Sequence, residues 1–134
     1  MDMFLKLLEK AELARENSYS PYSKFKVGAA LLSKNGEIFT GCNIESSSYS
    51  LTCCAERVAF FKAISEGNNG FEAIAIVGGF NDTNEPCMPC GSCRQVMAEF
   101  CTPDFKIIIK KNDGFDIYTL FELLPNSFSL KNNE

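Results

Sequence analysis

Histidine is absent from the sequence. That gap removes a histidine general base, a Ser-His-Asp triad, a Cys-His nucleophile pair and any histidine-ligated metal site. Proton transfer near neutral pH is left to carboxylates, thiols or a metal-bound water. A basic surplus is missing too. Lys and Arg number 13 against 17 Asp and Glu, a net charge of −4, so nucleic acid is not an expected partner. No apolar stretch approaches a membrane span, and a membrane is not expected either. Asp2, Lys6, Glu9 and Lys10 interrupt the first ten residues, unlike the apolar core of a secretory signal. The expected compartment is therefore the cytoplasm, where thiols stay reduced. There is no internal repeat, linker or low-complexity tract. A chain of 134 residues, 46 % of them hydrophobic, suits one domain over 1–134 with an ordinary core.

Cysteine is what the sequence has in excess: Cys42, Cys53, Cys54, Cys87, Cys90, Cys93 and Cys101. In a reducing compartment, clustered cysteines point to metal or catalysis more than to disulfides, and seven cannot all pair. Cys42 follows an expected strand and Cys101 ends an expected helix; both read as small buried hydrophobes.

The apolar pattern predicts helices near 2–16, over Cys54–Glu66 and over Ser92–Phe100, with a short one at Leu120–Leu124. Strands are expected at Phe25–Leu32 and Glu37–Cys42, joined by an Asn35-Gly36 turn, then at Ala73–Val77, Lys106–Lys110 and Phe115–Tyr118. Loops are expected at Asn17–Ser23, at Asn43–Thr52 and from Gly78 to Pro89. This order predicts an α/β fold, a three-layer α-β-α sandwich around a mixed sheet of about five strands.

Cys90-Gly91-Ser92-Cys93 opens the third helix. A lone C-x-x-C fits a metal site, a redox pair or chance. Cys54-Ala55-Glu56-Arg57 opens the second helix, where Cys54 offers a third thiolate. Three protein ligands with an open fourth position are the arrangement of catalytic zinc. Glu56, two residues past Cys54, is placed to reach a metal-bound water without ligating the metal. Three thiolates and one zinc carry a net −1, so the helix N-termini and Arg57 or Arg94, as donors to sulfur, are candidates for electrostatic support of the thiolates. Cys53 leaves the first ligand open by one residue, and Cys87 makes a second register conceivable.

A ligand, any residue, then Glu at a helix start, followed later by P-C-x-x-C, is the signature of zinc-dependent deaminases. The sequence resembles that group in its three-cysteine form. The likeness runs nearly the whole length: Ser20-Pro21-Tyr22-Ser23 with Phe25, Val27-Gly28-Ala29-Ala30-Leu31, Gly41-Cys42-Asn43-Ile44-Glu45, Cys54-Ala55-Glu56-Arg57, Pro89-Cys90-Gly91 with Cys93-Arg94-Gln95, and Leu123-Leu124-Pro125 with Phe128. It resembles the small homotetrameric cytidine deaminases of pyrimidine salvage, hydrolases acting on cyclic amidines. The resemblance implies conversion of cytidine and deoxycytidine to uridine and deoxyuridine with release of ammonia. It implies one Zn2+ per chain on Cys54, Cys90 and Cys93. Water activated at zinc would attack carbon 4 of the base, with Glu56 as the catalytic proton shuttle. It further implies a nucleoside substrate contacted by Phe25, Asn43, Glu45 and the Ala55 backbone. Ser47, Tyr49 and Phe128 would reach into a neighbouring subunit's site in a homotetramer.

Ser46 and Ser47 depart from the Asn-Ala usual after the ribose-binding Glu, which touches the contacts near the 5′-hydroxyl. Two other readings compete. A non-catalytic zinc module would take a fourth ligand from Cys53 or Cys87 and leave Glu56 without purpose. A related deaminase would act on blasticidin S, a nucleotide or a polynucleotide; Glu45 repels a 5′-phosphate, and Lys24 and Lys26, flanking Phe25 on a strand, are expected to point away from it.

Overall fold

A computed structural model describes residues 2–81 and 83–130. The elements are α1 (Asp2–Arg15), β1 (Phe25–Ser33), β2 (Ile38–Cys42), a 3-10 turn (Tyr49–Leu51), α2 (Ala55–Ser65), β3 (Phe71–Phe80), α3 (Gly91–Phe100), β4 (Lys106–Lys111), β5 (Gly114–Thr119) and α4 (Leu120–Leu123). The five strands form one mixed sheet in the order β2-β1-β3-β4-β5. Only β3 and β4 run parallel; the other pairs are antiparallel. A parallel pair needs a crossover, and the chain between these two strands is where α3 lies.

Alternation along the strands builds two apolar faces. Val27, Ala29 and Leu31 join Ile74, Ile76, Ile107 and Ile109 on one face, with Ala55, Ala59, Phe60 and Ala63 of α2 and Met97 of α3. Ala30, Leu32, Ala73, Ala75, Val77 and Ile108 form the other face, under Leu7, Leu8 and Ala11 of α1. The result is the three-layer arrangement expected from the pattern. Alanines at 30, 73 and 75 keep the α1 face shallow, so the helix lies close to the sheet.

Two glycines matter to the site. A Cβ on Gly41 would stand 2.5 Å from the Ala55 carbonyl, so only glycine lets the start of α2 rest on β2. A Cβ on Gly78 would meet Cys87 Cβ at 2.9 Å, and this closeness tucks the chain before α3 against β3.

Three expectations shift. β3 runs on through Phe80, where a loop was expected from Gly78, because Gly78 and Gly79 stay paired with Val27 and Lys26 of β1. Ladder pairing here outweighs the weak strand preference of glycine. Cys54 caps α2 rather than beginning it. The Asn43–Thr52 segment is not wholly loop: Ile44 and Cys53 exchange backbone bonds of 2.9 Å each way, closing its base and setting Cys54 beside Asn43. Cys42 and Cys101 are half-buried, and Cys101 packs on the core.

Candidate active site

Two helix starts converge on one point. Cys54 is the N-cap of α2 and Cys90 the N-cap of α3, both in extended conformation, and Cys93 sits in the first turn of α3. The Sγ atoms of Cys54 and Cys90 are 3.8 Å apart and those of Cys90 and Cys93 3.5 Å, with all three sulfurs within 4.8 Å of one another. Tetrahedral zinc with Zn–S of ~2.3 Å requires sulfur–sulfur edges of ~3.8 Å, so the trio fits the ion. No other such cluster occurs among the described residues. Cys54, not Cys53, supplies the sulfur from α2, and Cys87 stands outside the trio.

The electrostatics favour the thiolate at Cys54. Hydrogen bonding from Cys93, together with donation from Arg57 and Cys90, pulls the Cys54 thiol down to about 5 against its burial. Cys93, bonded to that sulfur and desolvated, is pushed up. Arg57 donates from Nη2 to Cys54 Sγ at 3.4 Å. The thiolate in turn holds its guanidinium charged.

Glu56 lies one residue inside the helix that Cys54 caps, and it is 4 % exposed. Burial raises its carboxyl to about 7. A carboxyl desolvated this way exchanges protons near neutrality. It faces a cavity of about 150 Å3, shared with Val27, Asn43, Ala55, Cys87 and Met88 among others. The arrangement brings three soft ligands, a buried acid/base group and an apolar-walled recess to one place. Metal-assisted hydrolysis of a small group is within its chemistry.

The family model for the cytidine and deoxycytidylate deaminase zinc-binding region matches residues 1–109. The chain belongs to this family. A cytidine deaminase of Sporosarcina psychrophila is 51 % identical to it over 92 % of this chain and 90 % of that one. A cytidine deaminase of Halalkalibacterium halodurans is 53 % identical over 92 % of each. Among solved structures, the cytidine deaminase from Burkholderia pseudomallei superimposes with a TM-score of 0.85 at 43 % identity, covering 92 % of this chain and 98 % of that one.

The remaining candidate residues of this deaminase-family chain fall into two groups. Asn43 and Ala55 line the cavity, with Ala55 presenting the first turn of α2, whose N–H groups have no carbonyl partner within the helix. The Asn43 amide donates to the Phe25 carbonyl at 2.8 Å and accepts from the Val27 N–H at 3.0 Å and from the Ser18 hydroxyl, leaving one N–H for a ligand. Glu45 accepts from the backbone N–H groups of Tyr22 and Ser23, at 3.1 Å each, and from the Ser23 hydroxyl. Desolvation is the largest single influence and pushes its carboxyl up, but these bonds and Lys24 together outweigh it and hold it below the ordinary range. Phe25 packs edge-on to Phe80 at 5.0 Å, beside Gly78 rather than in the cavity wall. Ser47 bonds the Tyr22 hydroxyl. Tyr49 is 85 % exposed and Phe128 67 %, both away from this chain's own recess.

Two expectations need correction. Arg94 does not donate to sulfur: Nε donates to the Pro89 carbonyl and Nη1 to the Leu123 carbonyl, each at 2.7 Å. Its backbone is one residue past Cys93, which turns its side chain off the ligand face. Lys24 is not on the strand: it precedes β1 in left-handed backbone, φ 64°, and its charge acts on Glu45. Met88 and Thr52, which line the recess, were missed in the sequence. Their only signal there is closeness to the ligand motifs.

Proposed function

We propose that this protein hydrolyses cytidine and deoxycytidine to uridine and deoxyuridine with release of ammonia. The observation that carries the reading is the trio of zinc-spaced thiols beside the buried Glu56 carboxyl. Cys54, Cys90 and Cys93 would hold one zinc, which supplies Lewis-acid activation of water at neutral pH.

The chain's own groups do the rest. Glu56 accepts a proton from the attacking water and passes it to ring nitrogen 3 as the oxygen adds to carbon 4. It then carries the second water proton to the departing amine, so the carbon 4–nitrogen bond breaks as ammonia leaves. The Ala55 N–H, in the first turn of α2, holds the 2-oxo group, and burial keeps Glu56 protonatable at neutral pH. The free N–H of Asn43 and the unshared lone pairs of Glu45 are suited to sugar hydroxyls. Phe25 supports the recess from behind.

The recess of about 150 Å3 is smaller than the ~300–1,000 Å3 of ordinary small-molecule pockets. It suits a base better than a whole nucleoside. Exposed Tyr49 and Phe128 are available to complete a second copy's recess, in keeping with the shared-site homotetramer that the family resemblance implies. Seven free cysteines suit a reducing cytoplasm.

The test is a direct one. Zinc-loaded protein is mixed with cytidine, deoxycytidine, CMP and blasticidin S in parallel, and ammonia and product are measured. Deamination of the first two supports the reading, and none from either overturns it. Sedimentation at assay concentration checks assembly: a fully active monomer would sink the shared-site arrangement.

A further inference from the structure

The Arg94-Gln95 pair, which follows Cys93 directly, has no part in the chemistry above. Both side chains leave α3 toward the C-terminal segment. Arg94 bridges two carbonyls, Pro89 and Leu123, at 2.7 Å each. Pro89 is fully buried and immediately precedes Cys90, so the guanidinium fixes the peptide that delivers a ligand. Leu123 is the last residue of α4, whose C-terminal carbonyls lack helical partners. Beyond α4 the chain reverses at Asn126, in left-handed backbone with φ 57°. This reversal returns the Phe128 carbonyl to within 2.9 Å of Gln95 Nε2. The Phe128 ring itself is left exposed.

We propose that Arg94 and Gln95 are positioning residues that strap the C-terminal segment to the ligand-bearing helix and so fix where Phe128 is presented. The inference rests on the reading that Phe128 completes a neighbouring subunit's recess. Arg94 serves both ends of the strap, because it also holds the Pro89–Cys90 peptide. Gln95 serves the tail alone. One short helix thus sets the ligand pair of its own subunit and the aromatic offered to the next.

The two residues are separable by experiment. In the zinc-loaded assembly, Gln95→Ala should raise KM for cytidine about fivefold, the worth of one net hydrogen bond. Its kcat and its rate of zinc release to a chelator should stay within about twofold of the parent. Amide exchange over 126–130 should quicken. Gln95→Glu replaces the donor with an acceptor facing a carbonyl and should raise KM further. Arg94→Ala should raise KM and also speed zinc release. Arg94→Lys, which reaches only one of the two carbonyls, should recover part of each effect. Phe128→Ala is the control. A raised KM there beside unchanged KM and exchange in both Gln95 variants overturns this inference alone. An unchanged KM in Phe128→Ala overturns the shared-site reading and this inference with it.

Discussion

Arg57 and Cys54 face each other across one turn of α2, with Nη2 donating to Sγ at 3.4 Å. The contact puts a full positive charge against a site that three thiolates would make negative with zinc bound. Hydrogen bonds to charged groups are worth about 1.5–3 kcal/mol. Arg57→Ala should therefore weaken zinc binding about 10- to 100-fold, as for other partners of metal ligands. Arg57→Gln, which keeps a donor but no charge, should fall between. Competition with a chromogenic chelator reads both; equal affinity in all three proteins would leave the contact without electrostatic weight.

Glu56→Gln tests the proton shuttle. The amide keeps the shape of the buried side chain but cannot accept and return a proton. Zinc content and thermal midpoint should hold, while kcat falls about 10²- to 10⁴-fold, the range for loss of a general acid/base. Near-parental turnover in the zinc-loaded variant would remove Glu56 from that role.

The ligand register is decided by comparing neighbours. Cys53 is tied into the Ile44 bridge through its backbone and lies outside the sulfur trio. Cys53→Ala should bind one zinc, and Cys54→Ala should bind it poorly or not at all. Elemental analysis after dialysis gives the answer, and the reverse pattern would shift the site by one residue.

A 5′-monophosphate should be a poorer substrate than the free nucleoside. Its charge of nearly −2 would approach the Glu45 carboxylate, which its bonds to Tyr22 and Ser23 keep ionised. Lys24 offsets part of this repulsion, and solvent screens more. Discrimination in kcat/KM should therefore be about tenfold or more. Side-by-side rates on cytidine and CMP measure it; equal rates would remove charge from the account of specificity.

Much of the architecture was legible because strand alternation and helix punctuation agree along the chain. Ile107–Ile109 and Ala73–Val77 read as buried strands because they are short, rich in β-branched residues and bounded by turn signals. The ligand trio was legible through its resemblance to the deaminase motif, in which each cysteine stands at a helix start; spacing alone left Cys53 and Cys54 both open. The reach of long side chains was not. Arg94 and Lys24 are assigned by where their backbone sits, and that depends on a left-handed turn before β1 and on the placement of α4, neither of which leaves a periodic signal. The extra length of β3 was hidden for a related reason: Gly78 and Gly79 are strand only because β1 lies beside them. Tyr49 and Phe128 show the limit of one chain, since their surroundings within it are mostly solvent.

The sulfurs of Cys54 and Cys90 belong to residues 36 apart in the chain. Anything that grips both closes a ring containing all of α2 and β3, the most central strand of the sheet. By the arithmetic used for covalent cross-links, a ring of that size removes ~3–4 kcal/mol of freedom from the unfolded chain. That is a sizeable part of the ~5–15 kcal/mol that keeps an ordinary domain folded. A metal taken up for its chemistry thus also acts as a clasp. Its loss would cost the protein durability as well as turnover.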